Sequence, residues 1–215
     1  METGIQPGLQ SGLGAGQVDT RYANLGESKL QAPGLNPGNQ LTAIENRKGV
    51  HLAPIVKSLL WADESATRRF ACTLAAHPGL RNCFIELHGE LGAGKTTLVR
   101  HLLQALGVRG RIKSPTYAVV EPYELDATPG DPRSLAIWHF DFYRFHDPRE
   151  WEDAGFRDIF ASPGLKLAEW PEKAAASLPR PDLAIRIEPQ PDASRQVQLV
   201  ASTPVGASLL DAAQA

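Results

Sequence analysis

Cysteine is scarce in this chain: Cys72 and Cys83 are the only two among 215 residues. A small disulfide-stapled scaffold is therefore excluded, and a reducing, cytoplasmic setting is expected. No apolar run approaches the roughly 20 residues that a helix needs to cross a bilayer, so no membrane segment is expected. The N-terminus lacks a basic start followed by an apolar stretch, so no export signal is expected. Neither sign of charge dominates: 22 Lys and Arg face 24 Asp and Glu. That balance disfavours a protein that grips nucleic acid through a broad basic field. Contact with RNA through a partner is left open.

Aromatic residues are also sparse at the N-terminal end. Residues 1–50 are rich in Gly, Gln, Asn, Pro and Ser instead. Such a segment buries too little apolar surface to offset its ordering entropy, so a disordered extension is expected there. Within it, Leu13-Gly14-Ala15-Gly16-Gln17 echoes Leu91-Gly92-Ala93-Gly94-Lys95 without the lysine, a preceding strand or a following helix. Coincidence in a glycine-rich segment explains the echo. An ordered domain is expected over residues 51–203, and a frayed tail over residues 204–215.

The ordered part opens with an edge strand over Ile55 to Trp61. Asp63 then caps a helix running to Ala76, with Phe70, Ala71 and Leu74 inward and Arg68 and Arg69 outward. His77-Pro78-Gly79 ends it. Further strands are predicted over Cys83 to Leu87, Tyr117 to Glu124, Leu135 to Tyr143, Leu165 to Ala168, Leu183 to Glu188 and Gln196 to Ala201. Thr128-Pro129-Gly130-Asp131 reads as a turn, and Glu150 to Phe156 and Glu172 to Leu178 as short helices. Hairpin spacing mixed with crossover units implies a mixed sheet in an α/β domain.

One motif stands out. Gly89-Glu90-Leu91-Gly92-Ala93-Gly94-Lys95-Thr96 fits the phosphate-binding pattern G-x-x-x-x-G-K-[ST] in full. The apolar run Cys83 to Leu87 precedes it. Leu98, Val99, Leu102, Leu103 and Leu106 follow at helical spacing, and Gly107 stops the helix. A strand, the loop and a helix are the context that the chemistry requires. Glycine lets the backbone curl until several N–H groups point at one phosphate, and the helix adds its free donors and positive end. Lys95 would reach the β- and γ-phosphates of a nucleotide, and the Thr96 hydroxyl would ligate Mg²⁺. Leu91, Gly92, Ala93, Gly94 and Thr97 complete the candidate cofactor-binding set.

A second acidic group is needed to hold Mg²⁺ or its waters, normally at the end of a neighbouring strand. Asp141, in His139-Phe140-Asp141-Phe142-Tyr143-Arg144, is the first candidate, sharing a face with His139 and Tyr143 by period two. Pairing with Arg144 is the alternative reading. Glu169, after Leu165-Lys166-Leu167-Ala168, is the second, as a metal ligand or a group orienting the attacking water. A solvated carboxylate is its alternative. Trp170 reads either as a rim residue or as core. Thr116, in Ser114-Pro115-Thr116-Tyr117, is placed to sense the γ-phosphate or its metal, although a plain loop-to-strand turn explains the tetrapeptide equally well. His139 reads as a satisfied core or rim histidine ahead of a ligand or base, because no second His or Cys lies at metal-ligand spacing.

Taken together, these segments resemble the bacterial TsaE family, also called YjeE, over roughly Leu52 to Ala201. The carriers are His88 to Thr97, Ser114 to Tyr117, His139 to Arg144 and Glu169-Trp170-Pro171, in the family's order. The resemblance implies a P-loop NTPase fold with a parallel core and antiparallel additions in one domain. It implies ATP and Mg²⁺ as cofactors, with weak hydrolysis by the isolated chain. It implies assembly with TsaB and TsaD, whose machinery places threonylcarbamoyl on adenosine 37 of tRNA. This chain would drive the reset between turnovers and meet tRNA only indirectly. By motif, Thr96 and Glu169 would sit at Mg²⁺, Lys95 at the phosphates, and Asp141 and Thr116 near the γ-phosphate. Glu64, in Asp63-Glu64-Ser65-Ala66-Thr67, would lie near the base. The extension over residues 1–50 departs from the family. Two other classes stand beside this one. A small-molecule or nucleotide kinase would need an acceptor pocket and usually an Arg-bearing lid; Arg109 and Arg111 could serve as the lid, but no acceptor segment stands out. A nucleotide-gated binding module would need no turnover at all. A guanine switch is disfavoured, since no Asn-Lys-x-Asp segment is present.

Overall fold

The computed structural model describes residues 53–127, 134–145, 151 and 155–213. Seven strands form one sheet in the order β1-β7-β6-β2-β5-β4-β3. They are β1 (Ile55–Trp61), β2 (Phe84–His88), β3 (Val120–Leu125), β4 (Leu135–Asp141), β5 (Leu165–Glu169), β6 (Leu183–Pro189) and β7 (Arg195–Ala201). The pairs β2–β5, β2–β6 and β4–β5 are parallel, while β1–β7, β6–β7 and β3–β4 are antiparallel. The sheet therefore has a parallel centre and antiparallel margins, as a P-loop NTPase fold with additions requires. Parallel neighbours align the C-terminal ends of β2, β4 and β5, and this alignment sets the place of the site.

Helix α1 (Glu64–Ala76) and helix α2 (Lys95–Leu106) cover one face. The Asp63 carboxylate caps α1 by accepting from Ala66 N at 2.9 Å. Gly107, at φ +105°, ends α2 in the left-handed region that glycine tolerates. Phe70, Leu74, Leu98, Val99, Leu102 and Leu103 from these helices pack on Ile85, Leu87, Ile137, Leu165, Leu167 and Ile185 of the sheet. The opposite face of β2, β4 and β5 carries an aromatic cluster of Phe84, Phe140, Phe142, Phe145, Trp151 and Phe156. Helix α3 (Phe156–Ala161) closes over it. Central strands thus bury both faces, which explains their nearly continuous apolar runs.

Most strand ends lie within a residue of expectation, and the larger departures have local causes. β3 begins at Val120 and not Tyr117, because Thr116 to Val119 make a turn in which Val119 N donates to Pro115 O. β4 ends at Asp141 and not Tyr143, because the Asp141 carboxylate accepts from Tyr143 N at 3.0 Å and turns the chain. Residues 172–178 form no α-helix; Pro171–Lys173 is a single 3-10 turn followed by further turns.

The expected frayed tail is also corrected. Pro204–Ala212 is a helix, α4, with Leu209 and Leu210 fully buried. Thr203 caps it by accepting from Gly206 N, and donates to Asp182 Oδ1 at 2.5 Å. A Cβ at Gly206 would lie 1.8 Å from Asp182 O, so only glycine admits this close approach. The predicted extension over residues 1–50 and the turn at Thr128 to Asp131 lie outside the described residues. So does most of the predicted helix at Glu150 to Phe156, whose last residue instead begins α3.

Candidate functional site

The phosphate-loop sequence leaves β2, wraps over its end and enters α2. Gly89 stands at φ +140°, and a Cβ there would come within 2.4 Å of Ile187 O. Gly94, at φ +113°, opens α2 without a side-chain cap, so the first-turn amide donors of the helix have no capping side chain. Ala93 is buried, and its carbonyl accepts from Arg195 Nε at 3.2 Å. Leu91 projects at the tip, 79% exposed. The Lys95 ammonium donates to Gly89 O at 2.6 Å and Glu90 O at 2.9 Å. It also lies 4.0 Å from the centre of the Trp170 ring. Burial pulls the Lys95 pKa below its ordinary value, and the nearby Glu169, Asp141 and Glu172 carboxylates oppose that shift.

Glu169 ends β5 and is only 2% exposed. The Thr96 hydroxyl, on the first turn of α2, lies 2.9 and 3.0 Å from its two carboxylate oxygens. His139 Nε2 lies 2.9 Å from Glu169 Oε1. No cluster of three or more His, Cys, Asp or Glu suited to a metal occurs among the described residues. A hydroxyl and a carboxylate are two hard oxygen donors, and a buried carboxylate favours a cation. This set fits Mg²⁺, which keeps several waters and takes further oxygens from phosphates.

Asp141 pairs with Glu169 across β4 and β5, yet its partners are different. Its Oδ2 accepts from Ser114 Oγ and, at 2.6 Å, from Thr116 Oγ1, while Oδ1 accepts from Tyr143 N. Arg144 does not pair with it; the guanidinium stacks on Tyr117, 4.5 Å from the ring centre. Both carboxylates, Thr116, Lys95, Thr96, Thr97, Gly92 and Gly94 line one cleft of about 410 Å³. Trp170 walls it on one side, half-buried, with Tyr143 packed at 5.0 Å. Both readings of that indole are partly met, since it lines the rim and also stacks on other side chains. Its φ of +56° and the φ of +65° at Val119 place two non-glycine residues in left-handed backbone beside the site. Such conformations cost about 1–3 kcal/mol each and persist where the surroundings over-determine them.

Glu64 sits apart from this cleft. It is exposed, its Oε1 lies 2.9 Å from His101 Nε2, and it borders a pocket of about 80 Å³ with Trp61, Thr67, Gly94, Thr97 and Arg195. Thr97 lies between the two spaces. Ala93, fully buried, borders that smaller pocket too; the other candidate residues line the cleft, and two further side chains join them. Ser114 was visible in the tetrapeptide but had no assigned partner until β4 and the preceding loop met in space. His139 is a core histidine, as its sequence context favours, and it is also bonded to a site carboxylate.

Relatives match on the same stretch. The family model described as Threonylcarbamoyl adenosine biosynthesis protein TsaE matches residues 61–197. The chain is 42% identical over 128 residues to the "tRNA threonylcarbamoyladenosine biosynthesis protein TsaE" of Haemophilus influenzae, covering 60% of this chain and 76% of the relative. It is 32% identical over 117 residues to the protein of the same name from Bacillus subtilis, covering 54% of this chain and 68% of the relative. Among solved structures, the crystal structure of Bacillus YdiB superposes with a TM-score of 0.59 at 25% identity, over 74% of this chain and 96% of that one. The loop, the two strand-end carboxylates and the matched span thus agree: the chain belongs to the TsaE family.

Proposed function

We propose that this chain is an ATP-hydrolysing accessory subunit of the machinery that makes threonylcarbamoyladenosine at tRNA position 37. In this role it works with TsaB- and TsaD-type subunits and drives their reset between turnovers. One juxtaposition supports the ATPase role above all: Thr96 from α2 and Glu169 from β5 meet at 2.9 Å at the mouth of the phosphate loop. The relatives' printed names support the tRNA pathway.

Within this role each side chain has a physical task. The backbone amides from Gly92 to Thr96 gather the phosphates, and the α2 N-terminus adds its positive end. Lys95 leaves its own loop carbonyls to meet phosphate oxygens, exchanging two neutral acceptors for charged ones. Thr96 and Glu169 hold Mg²⁺, which when bound screens the charge of the β- and γ-phosphates. Thr116 faces the γ-phosphate. Asp141 orients the attacking water and accepts its proton at a carboxylate oxygen, displacing one of the hydroxyls it now holds. The water oxygen bonds to the γ-phosphorus as the bond to the β–γ bridging oxygen breaks, the electron pair leaving with ADP. Glu64 lies on the base side through the pocket that Thr97 borders.

The deciding experiment is reconstitution of tRNA modification with TsaB- and TsaD-type subunits, with and without this chain, following ATP consumption in the same tube. Modification and ATP use should rise together when the chain is added. Modification that proceeds over many turnovers without the chain, or a chain that neither binds ATP nor joins its partners, contradicts the proposal.

A further inference from the structure

Along β4, Ile137, His139 and Asp141 point to the α2 side of the sheet by strand alternation. They mark a passage from core to cleft: Ile137 belongs to the aliphatic core, and Asp141 lines the cleft. His139 lies between them with no solvent exposure. A fully buried imidazole at this level serves packing poorly compared with an aliphatic residue, unless its polar atoms are used. One of them is used, since Nε2 stands 2.9 Å from Glu169 Oε1. A carboxylate only accepts, so the ring proton belongs on Nε2. Nδ1 is buried and has no hydrogen-bond partner among the described residues, so the bond of Nε2 is the one polar contact that orients the ring there.

Glu169 thus has two tethers of different kinds. Thr96 sits on a helix whose first turn belongs to the phosphate loop, and its hydroxyl touches both carboxylate oxygens. In the proposed nucleotide-bound state that hydroxyl gives a lone pair to the cation and keeps only its single proton for Glu169, so the two-oxygen contact it makes here is not retained in this form. His139 is the tether that stays unchanged, because it is fixed within the sheet, where its strand pairs with β3 and β5.

We propose that His139 is a positioning residue: through its Nε2 hydrogen bond it holds the buried Glu169 carboxylate in the orientation that receives Mg²⁺ when Thr96 also serves the cation. This rests on the Mg²⁺-ATP role proposed above. Loss of a hydrogen-bonding partner behind a metal ligand typically weakens metal affinity about 10–100-fold.

The test is a Mg²⁺ titration of ATP binding, read by calorimetry on the full chain, for the wild type, His139→Leu and His139→Gln. His139→Leu keeps the bulk and loses the donor. Its Mg²⁺ midpoint should rise about tenfold or more, while ATP binding in excess EDTA stays unchanged. His139→Gln, whose amide reaches as far as Nε2, should recover most of the response. An unchanged midpoint in folded His139→Leu overturns the proposal, as does equal damage in both variants, which would mean packing alone. Should His139→Leu fail to fold, ¹⁵N-histidine spectra of the wild type decide. A proton on Nε2 with a bare Nδ1 is expected, and the reverse tautomer removes the donor and the proposal together. A wild type whose ATP binding ignores Mg²⁺ overturns the Mg²⁺-ATP role itself. A responsive wild type with an unaltered His139→Leu overturns only the positioning role.

Discussion

Asp141 and Glu169 are direct partners across two parallel strands, yet they are held in opposite ways. Glu169 is fixed by regular structure: Thr96 on a helix and His139 on the adjoining strand. Asp141 is tied to Ser114 and Thr116, which stand on an irregular loop that leads into the left-handed turn at Val119. The contrast shows how one sheet edge can supply two different carboxylates. A rigidly framed acid suits a cation that demands near-ideal geometry. An acid whose partners sit on a loop can exchange them, which suits a group that must handle water during turnover.

The comparison can be broken most directly at Glu169. Glu169→Ala should lower ATP turnover on the order of a thousandfold and remove the Mg²⁺ enhancement of binding, measured by steady-state hydrolysis and calorimetry. Asp141→Ala should lower turnover on the order of a hundredfold and leave that enhancement in place. If both variants lose Mg²⁺ sensitivity equally, the two carboxylates share one task. Ser114→Ala removes one of two hydroxyls from Asp141, and should cost about 1 kcal/mol, or roughly fivefold in turnover. Equal hydrolysis rates for Ser114→Ala and Asp141→Ala would contradict the division of tasks. A third carboxylate, Asp63, caps α1 away from the cleft and gives the smallest effect. Hydrogen bonds from Ser65 Oγ and Ala66 N hold its pKa below the ordinary 3.8. A depressed acid contributes stability that is present above its unfolded value and is lost as pH falls through the folded one. Melting curves across that acid window should therefore fall more steeply for the wild type than for Asp63→Asn, with ATP binding at neutral pH alike in both.

Much of this was legible in the residues because local chemistry dictated it. The phosphate loop needs its glycines and Lys95, the α2 stripe needs period 3.6, and Asp63 is a capping residue at a helix start. Glu169 and Asp141 were found because strand ends in such sheets face the crevice. What escaped depended on contacts distant in sequence. Ser114 has no visible role until Asp141 arrives from 27 positions away. The expectation of a satisfied core or rim histidine holds for the burial of His139 and not for its satisfaction, since Nδ1 is unpartnered among the described residues and the bond of Nε2 to Glu169 is a pairing across strands. Helix α4, Pro204–Ala212, stands where a frayed tail was expected, and Leu209 and Leu210 bury it against the fold. Thr203-Pro204 was nonetheless a capping signal with proline in the first turn, and it was there to be read. The early end of β4 turned on an Asp side chain bonding its own backbone two residues on, which strand propensity does not register.

The central claim is that one pocket gathers a nucleotide by its loop and a divalent cation by Thr96 and Glu169. Calorimetric titration of ATP into the wild type and Glu169→Gln, each with Mg²⁺ and with EDTA, tests it most directly. Mg²⁺ should tighten binding in the wild type and do nothing in Glu169→Gln, with the two proteins alike in EDTA. A Glu169→Gln protein that keeps the full Mg²⁺ enhancement, or a wild type that binds no ATP, would contradict the claim.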